Sequence, residues 1–200
     1  MTQPAPHILN RPELTLPEAE AQALRTAYAA AQVVLEYGSG GSTLVAAELG
    51  RTVFSVESDP AWAQMMRDWF AANPAPGRVE IIHADIGPTK EWGHPVDHSG
   101  WRGYAAYPLA VWDRAGFEQP DVVLVDGRFR VGCALATAFR TEKPVTLLFD
   151  DYVKRENYHV VEKFLGQPAA VIGRMACFQV EPTPVPAKHL HRIVQLMTRP

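Results

Sequence analysis

A glycine-rich turn set between two apolar segments constrains the fold of this chain more than any other feature. Three apolar residues and a carboxylate, Val33–Glu36, precede a turn that carries Gly38, Gly40 and Gly41, and the apolar stretch Leu44–Leu49 follows. This order predicts a strand, a tight turn and a helix. Glycines in such a turn leave room for backbone N–H groups to face a ligand at the N-terminus of the helix.

The segment behind this turn strengthens the prediction. Thr52–Glu57 reads as a second buried strand that ends in a carboxylate. Glu57 follows Gly38 at close to the offset of roughly 20 residues at which an acid meets a ribose hydroxyl in nucleotide-binding βαβ units. The two segments together therefore predict a site for a nucleotide-like ligand.

Composition narrows the class of protein. The 200 residues are 47% hydrophobic and 20% charged, which is ordinary for one α/β domain with a sizeable core. A formal net charge of −3 gives no field to attract nucleic acid, so we do not expect a nucleic-acid substrate. Cys133 and Cys177 do not make a disulfide framework or a zinc site. No signal sequence or long apolar run is evident, so we expect a cytoplasmic protein without a membrane segment.

The remaining segments alternate between helix and strand patterns. Residues 1–12 are expected to be extended, and Thr15 with Pro17 is expected to start a helix that runs to about Ala31. Asp59-Pro60 should open a helix whose apolar stripe, Trp62, Met65, Met66, Trp69 and Phe70, is interpreted as core. Further strands are predicted at Arg78–His83, Asp121–Asp126, Thr146–Tyr152, Ala170–Val180 and His191–Met197, with helices ending near Arg140 and over Glu156–Leu165.

One long connection, Ile86–Tyr107, departs from this alternation. It is rich in aromatic residues, glycine and proline, and it follows the carboxyl end of a strand, where open α/β sheets bind ligands. We interpret it as a mobile lid that supplies substrate-binding aromatic rings, Trp92, Trp101 and Tyr104 first among them. The alternative is a surface loop packed by its own rings.

This pattern resembles the class I S-adenosylmethionine-dependent methyltransferases from about Val33 to Asp151. The resemblance implies an α/β, three-layer Rossmann-like fold with a mostly parallel seven-stranded sheet and an antiparallel C-terminal strand. It implies that residues 1–200 form one domain, with residues 1–31 as an N-terminal extension and helix. The family's third glycine falls at Ser42, although Gly41 offers similar freedom.

The same resemblance implies S-adenosylmethionine as the cofactor and assigns its contacts. An acid before the glycines faces the methionine end, the turn lies under the cofactor, the acid ending the second strand takes the ribose hydroxyls, and a polar residue after the third strand meets the adenine. The matching cofactor-binding residues are Glu36, Gly38, Ser39, Gly40, Glu57, Ser58, Asp85 and Asp126.

Acids at the ends of two later strands resemble those of the metal-dependent O-methyltransferases of the catechol and macrocin types. Asp126, Asp150 and Asp151 are therefore predicted as catalytic residues and Mg²⁺ ligands. Alternatively, these acids cap helices or pair with Arg128, Arg130 or Lys154. The lysine that catechol-type enzymes carry after the first acid is Phe129 here, so no general base is assigned.

The sequence thus predicts methyl transfer to an oxygen of a small-molecule acceptor, with Mg²⁺ as a candidate second cofactor. Two other hypotheses stay open: a non-catalytic cofactor-binding protein of this fold, and a nicotinamide dinucleotide-binding oxidoreductase.

Overall fold

A seven-stranded sheet organises the molecule. The computed structural model describes residues 10–200, so most of the segment expected to be extended, residues 1–9, lies outside the described residues. The strands of this sheet are β1 (Val33–Tyr37), β2 (Thr52–Glu57), β3 (Val79–His83), β6 (Val122–Val125), β7 (Val145–Phe149), β8 (Ala170–Ile172) and β9 (Met175–Val180). A separate two-stranded hairpin consists of β4 (Thr89–Lys90) and β5 (His94–Pro95).

The strand order is β3-β2-β1-β6-β7-β9-β8. The first five strands are parallel, β9 pairs antiparallel with β7, and β8 pairs antiparallel with β9. The predicted fold class, a mostly parallel Rossmann-like sheet with an antiparallel strand near its C-terminal end, is confirmed.

Helices cover both faces of the sheet. The α-helices are α1 (Glu18–Ala30), α2 (Gly41–Glu48), α3 (Pro60–Ala72), α4 (Ala106–Leu109), α5 (Arg130–Arg140), α6 (Glu162–Leu165) and α7 (Leu190–Met197). Neighbouring strand residues face opposite layers: Val34 packs in a cluster with Leu24 of α1, whereas Leu35 packs in a cluster with Leu135 of α5. The sheet is therefore held by a buried cluster on each face, and its central strands are apolar on both sides.

One predicted helix start and one predicted element assignment are wrong. α1 begins at Glu18, and Pro17 before it is extended with no side-chain cap, so Thr15 does not start the helix. Glu13 and Leu14 instead lie against the glycine turn, at Gly41. The segment His191–Met197 is helical rather than a strand, because its buried residues Ile193, Leu196 and Met197 recur at helical spacing.

Two other predictions are confirmed with changed boundaries. The segment Ala170–Val180 forms a hairpin of two strands, β8 and β9, rather than one strand. Glu156–Leu165 is a 3₁₀ helix over Glu156–Val161 that continues into α6. That residues 1–200 form a single domain stays a prediction.

Candidate functional site

The glycine turn between β1 and α2 packs closely against the rest of the protein on two sides. Gly38 has φ of 104°, and a Cβ there would lie 2.9 Å from the backbone nitrogen of Gly127. A Cβ on Gly41 would lie 2.2 Å from the backbone of Glu13 and Leu14. The fold itself therefore requires these two glycines.

Gly40 is different, because a Cβ at this position would meet nothing within 4 Å. Its φ of 172° is extended backbone that any residue adopts. The turn is fixed by Thr43, whose hydroxyl accepts from the backbone N–H of Gly40 at 3.0 Å. Gly40 thus leaves open space that a ligand can use.

That open space belongs to a cavity of about 780 Å³, which we call the main cavity. It lies at the carboxyl ends of the parallel strands, where open α/β sheets bind ligands. The cavity is lined by Glu13, Leu14, Thr15, Leu16, Gly38, Ser39, Gly40, Gly41, Ser42, Glu57, Ser58, Asp59, Trp62, Glu91, Trp92, Gly93, Tyr107, Asp126, Gly127 and Arg128.

Six of the predicted cofactor residues come together in this lining. They are Gly38, Ser39, Gly40, Glu57, Ser58 and Asp126. Glu36 and Asp85 are not among the lining residues, and neither are Asp150 and Asp151. The direct contacts of all these residues with a cofactor stay predictions.

Glu57 is held rigidly at the end of β2. One carboxylate oxygen accepts from the backbone N–H groups of Ser58 at 2.7 Å and Asp59 at 2.8 Å, and the other accepts from Ser39 at 3.2 Å. Burial raises the pKa of the carboxyl, while these N–H donors act to lower it. The carboxylate keeps acceptor capacity that a pair of ligand hydroxyls could use.

Glu36 lies within the core rather than in the cavity. It is fully buried, and its two oxygens accept from the hydroxyls of Tyr28 at 2.7 Å and Thr43 at 2.5 Å. Burial raises the pKa of Glu36 despite these donors. Its observed role is to tie α1 and α2 to β1, since Tyr28 lies on α1 and Thr43 on α2.

Asp85 is exposed, and its carboxylate accepts from the backbone N–H of Gly87 at 2.9 Å, closing a local turn. The turn between β4 and β5, rather than Asp85, lies against the end of β2. There the hydroxyl of Ser58 donates to the carbonyl of Gly93 at 3.0 Å. Glu91, Trp92 and Gly93 consequently line the main cavity while Asp85 does not.

Trp62 was interpreted as core, and the structure corrects this. The side chain is 40% exposed, its indole N–H donates to the carbonyl of Ser39 at 2.7 Å, and it lines the main cavity. Met66 of the same stripe is buried as expected. The position of Trp62 in the first turn of α3 could have indicated this. Asp59 caps that turn, its carboxylate accepting from the Trp62 backbone N–H at 2.9 Å.

The connection Ile86–Tyr107 contains an outer part, residues 91–98, and an inner part, residues 100–107. Trp92 in the outer part is 82% exposed and lines the main cavity. Tyr104 in the inner part is 2% exposed and packs on Phe129 with ring centroids 5.1 Å apart. Trp101 is exposed beneath Arg102 and is not part of the cavity lining. Of the three rings predicted to bind an acceptor, only Trp92 reaches the cavity, and the mobility of the segment stays a prediction.

Tyr107, at the end of this segment, was not singled out for the site. It is fully buried, it lines the main cavity, and its hydroxyl accepts from the backbone N–H of Arg128 at 3.3 Å. A Cβ on Gly127 would lie 2.2 Å from the same hydroxyl. Sequence spacing gave no signal for this contact between distant segments.

The three strand-end acids do lie together, but arginines surround them. Asp150 is fully buried, and Arg174 donates to both of its oxygens at 2.9 and 2.7 Å. Asp126 pairs with Arg130 at 3.1 Å. Asp151 meets Arg155 at 2.8 Å, Arg174 at 3.3 Å and Arg130 at 3.4 Å.

This donor set does not fit a metal ion. Each acid already has a guanidinium partner, and residues 10–200 hold no group of three His, Cys, Asp or Glu side chains placed to bind a metal. The predicted Mg²⁺ site is therefore not supported. Of the three cations that the sequence suggested as partners of these acids, only Arg130 pairs with them. The other two partners, Arg155 and Arg174, were not predicted.

The pKa values of two of these acids move in opposite directions. Burial raises the pKa of Asp126 to about 7, with Arg130 opposing the rise and Asp150 adding to it. Burial also acts to raise the pKa of Asp150, but the hydrogen bonds and charge of Arg174 hold it below its usual value. Asp126 is the acid of the three that faces the main cavity.

Solved structures resemble this one over nearly the whole chain. A methyltransferase-like protein from Silicibacter pomeroyi DSS-3 is 63% identical, and the match covers 95% of this chain and 99% of that chain with a TM-score of 0.92. No family model matches the chain. A search of curated proteins also gives no match.

More distant structures share the fold. Cofactor-bound Rv0187 from MTB is 16% identical, covering 88% of this chain and 85% of that chain with a TM-score of 0.60. An O-methyltransferase from Bacillus cereus, in complex with SAH, is 16% identical, covering 74% of this chain and 62% of that chain with a TM-score of 0.51.

Within residues 10–200, no helix has the length and apolar character needed to cross a membrane. The sheet order and the likeness at 63% identity over 95% of the chain lead to one assignment. The chain belongs to the class I S-adenosylmethionine-dependent methyltransferase family.

Proposed function

We propose that this protein transfers the methyl group of S-adenosylmethionine to an oxygen atom of a small-molecule acceptor. The observation that carries the proposal is the main cavity, about 780 Å³, in which the glycine turn, Glu57 and Asp126 meet at the carboxyl edge of the sheet. Its volume lies in the range of small-molecule and cofactor sites.

The residues that would hold the cofactor are those lining the cavity from β1 to α3. Gly40 would allow close approach of the ligand, and Glu57 would accept from the two ribose hydroxyls. The exposed faces of Trp62 and Trp92 would supply apolar contact. When bound, the cofactor supplies an electrophilic methyl group on a positively charged sulfur.

The acceptor side of the cavity would be formed by Tyr107, Asp126 and Arg128. These residues would orient the acceptor oxygen, and the outer part of the Ile86–Tyr107 segment would exclude water from it. Because arginines occupy the three strand-end acids, we expect transfer without a divalent cation.

A transfer assay tests this proposal. Purified protein is incubated with methyl-labelled S-adenosylmethionine and a panel of hydroxyl- and amine-bearing small molecules, with and without excess chelator. We expect labelled ethers in both conditions, and none from the Gly40→Val variant, whose side chain would fill the cavity. Transfer only to amines would contradict oxygen as the acceptor atom. Loss of transfer in chelator, restored by Mg²⁺, would contradict metal independence.

A further inference from the structure

A second, smaller cavity opens beside the main cavity. Its volume is about 220 Å³, and it shares Gly127 and Arg128 with the main cavity. We call it the arginine pocket, and it is lined by His94, Gly127, Arg128, Phe129, Arg130, Val131, Arg155, Asn157, Tyr158, Leu196, Arg199 and Pro200. Four guanidinium groups in so small a space need compensating negative charge.

Two of the four arginines have that compensation from the protein. Arg130 pairs with Asp126 at 3.1 Å, and Arg155 pairs with Asp151 at 2.8 Å. Arg128 and Arg199 form no ion pair with any acid in residues 10–200. Positive charge therefore exceeds negative charge among the side chains that line the pocket.

Of these two arginines, Arg128 gives the stronger indication of an anion site. Its Nε is buried and has no hydrogen-bond partner within the described part of the chain, although buried donors are normally satisfied. Burial, followed by the charge of Arg130, lowers the pKa of Arg128. A cation in this position lacks an anionic acceptor.

The neighbouring groups do not supply one. One guanidinium nitrogen of Arg128 meets the ring of His94, an uncharged acceptor, since burial and the charge of Arg128 lower the His94 pKa. α5 begins at Arg130 with no side-chain cap and no acid in its first turn. Its N-terminal N–H groups add further positive potential on the same side.

We propose that the arginine pocket binds an anionic group of the methyl acceptor, a carboxylate or a phosphoryl group. The inference rests on the proposed function and adds the substrate class to it. Because the pocket and the main cavity meet at Gly127 and Arg128, an acceptor anchored by its anionic end would extend its hydroxyl toward Tyr107 and Asp126. Arg128 can form a paired, charge-assisted contact with either group.

Calorimetry on the full chain tests this with inorganic phosphate and benzoate as probes. Each probe is titrated into protein saturated with S-adenosylhomocysteine. We expect both the Arg128→Gln and Arg199→Gln variants to weaken binding of at least one probe, by roughly tenfold for Arg128→Gln if a charge-assisted contact is lost. Arg25→Gln, an exposed arginine on α1 away from both cavities, should bind as the wild type does.

The outcomes separate the inference from the proposed function. Wild-type protein that binds S-adenosylhomocysteine but neither anion, or variants that all bind the anions equally, would overturn the inference alone. Failure to bind S-adenosylhomocysteine would overturn the proposed function. If Arg128→Gln and Arg199→Gln both retain their thermal midpoint but lose S-adenosylhomocysteine, the pocket belongs to the cofactor site and the inference is wrong.

Discussion

Two glutamates at adjacent strands illustrate how single residues divide their work. Glu36 and Glu57 are both buried acids in this sheet, yet side-chain hydroxyls satisfy Glu36 and backbone N–H groups hold Glu57. Only Glu57 faces the main cavity. We therefore expect changes at Glu57 to affect ligand binding and changes around Glu36 to affect stability.

Replacing Glu57 tests the first half of this division. Glu57→Ala should weaken S-adenosylhomocysteine binding by about 1–3 kcal/mol, because charge-assisted hydrogen bonds to the ribose would be lost. Calorimetric titration measures the change, and Glu18→Ala on the exposed start of α1 serves as the control. Equal affinity in the two variants would show that Glu57 does not contact the cofactor.

The Tyr28 hydroxyl tests the second half. Tyr28→Phe removes a donor from buried Glu36 and should lower the free energy of unfolding by about 1–3 kcal/mol. Burial raises the pKa of Glu36, so the stability tied to its protonated form is lost as the pH rises through that pKa. Without the Tyr28 donor the ionised form costs more, and the destabilisation should grow from pH 5 to pH 8. Urea unfolding at both values measures it, and a deficit that shrinks with pH would contradict the account.

At the scale of elements, sequence predicted the sheet well and its surroundings less well. β1, β2, β6 and β7 are short apolar runs closed by acids or glycines, and such local patterns identify buried parallel strands. α7 was missed because a short apolar segment fits either periodicity until its neighbours are known.

The candidate site shows the same limit. The glycine turn and Glu57 were predictable because one local unit contains them. Arg174, by contrast, reaches Asp150 from the turn between β8 and β9, after the intervening helical segment, so only the assembled sheet brings them together. The strand-end acids looked like metal ligands because no local pattern announces an arginine that distant.

The Asp150–Arg174 ion pair joins the end of β7 to the residue before β9, and we expect it to stabilise the protein. Arg174→Gln should destabilise the protein by about 3 kcal/mol, because it leaves a buried carboxylate without its cation. Adding Asp150→Asn to this variant should recover part of the loss, since the unpaired charge is then gone. Thermal and urea unfolding measure both variants. A double variant that is less stable than Arg174→Gln would contradict the ion-pair account.

The Ile86–Tyr107 segment should respond to ligand in its outer part alone. Ile86, Tyr104 and Tyr107 are packed in the core, whereas Trp92 is 82% exposed and lines the main cavity. We expect hydrogen exchange over residues 91–98 to slow when S-adenosylhomocysteine binds, while residues 100–107 stay equally protected. Strong protection of residues 91–98 without ligand would indicate a rigid loop rather than a lid.

At the scale of the whole molecule, the carboxyl edge of the sheet carries two different environments. The β1–β2 side forms a cavity edged by glycines and tryptophans, and the β6–β7 side forms a network of acids and arginines. This division would place the proposed cofactor site next to the proposed acceptor site, without a metal between them. We expect Mg²⁺ at millimolar concentration to leave the thermal midpoint unchanged, and a clear rise would contradict the arginine-paired assignment of the acids.

We propose that the main cavity holds S-adenosylmethionine through the open space at Gly40. Calorimetric titration of the wild type and Gly40→Val with S-adenosylhomocysteine, and with NAD for comparison, tests it most directly. We predict one S-adenosylhomocysteine bound per wild-type chain, no tight binding of NAD, and loss of binding in Gly40→Val at a nearly unchanged thermal midpoint, because a Cβ at this position would meet nothing within 4 Å. Tight NAD binding without S-adenosylhomocysteine binding, or a Gly40→Val variant that binds like the wild type, would contradict the claim.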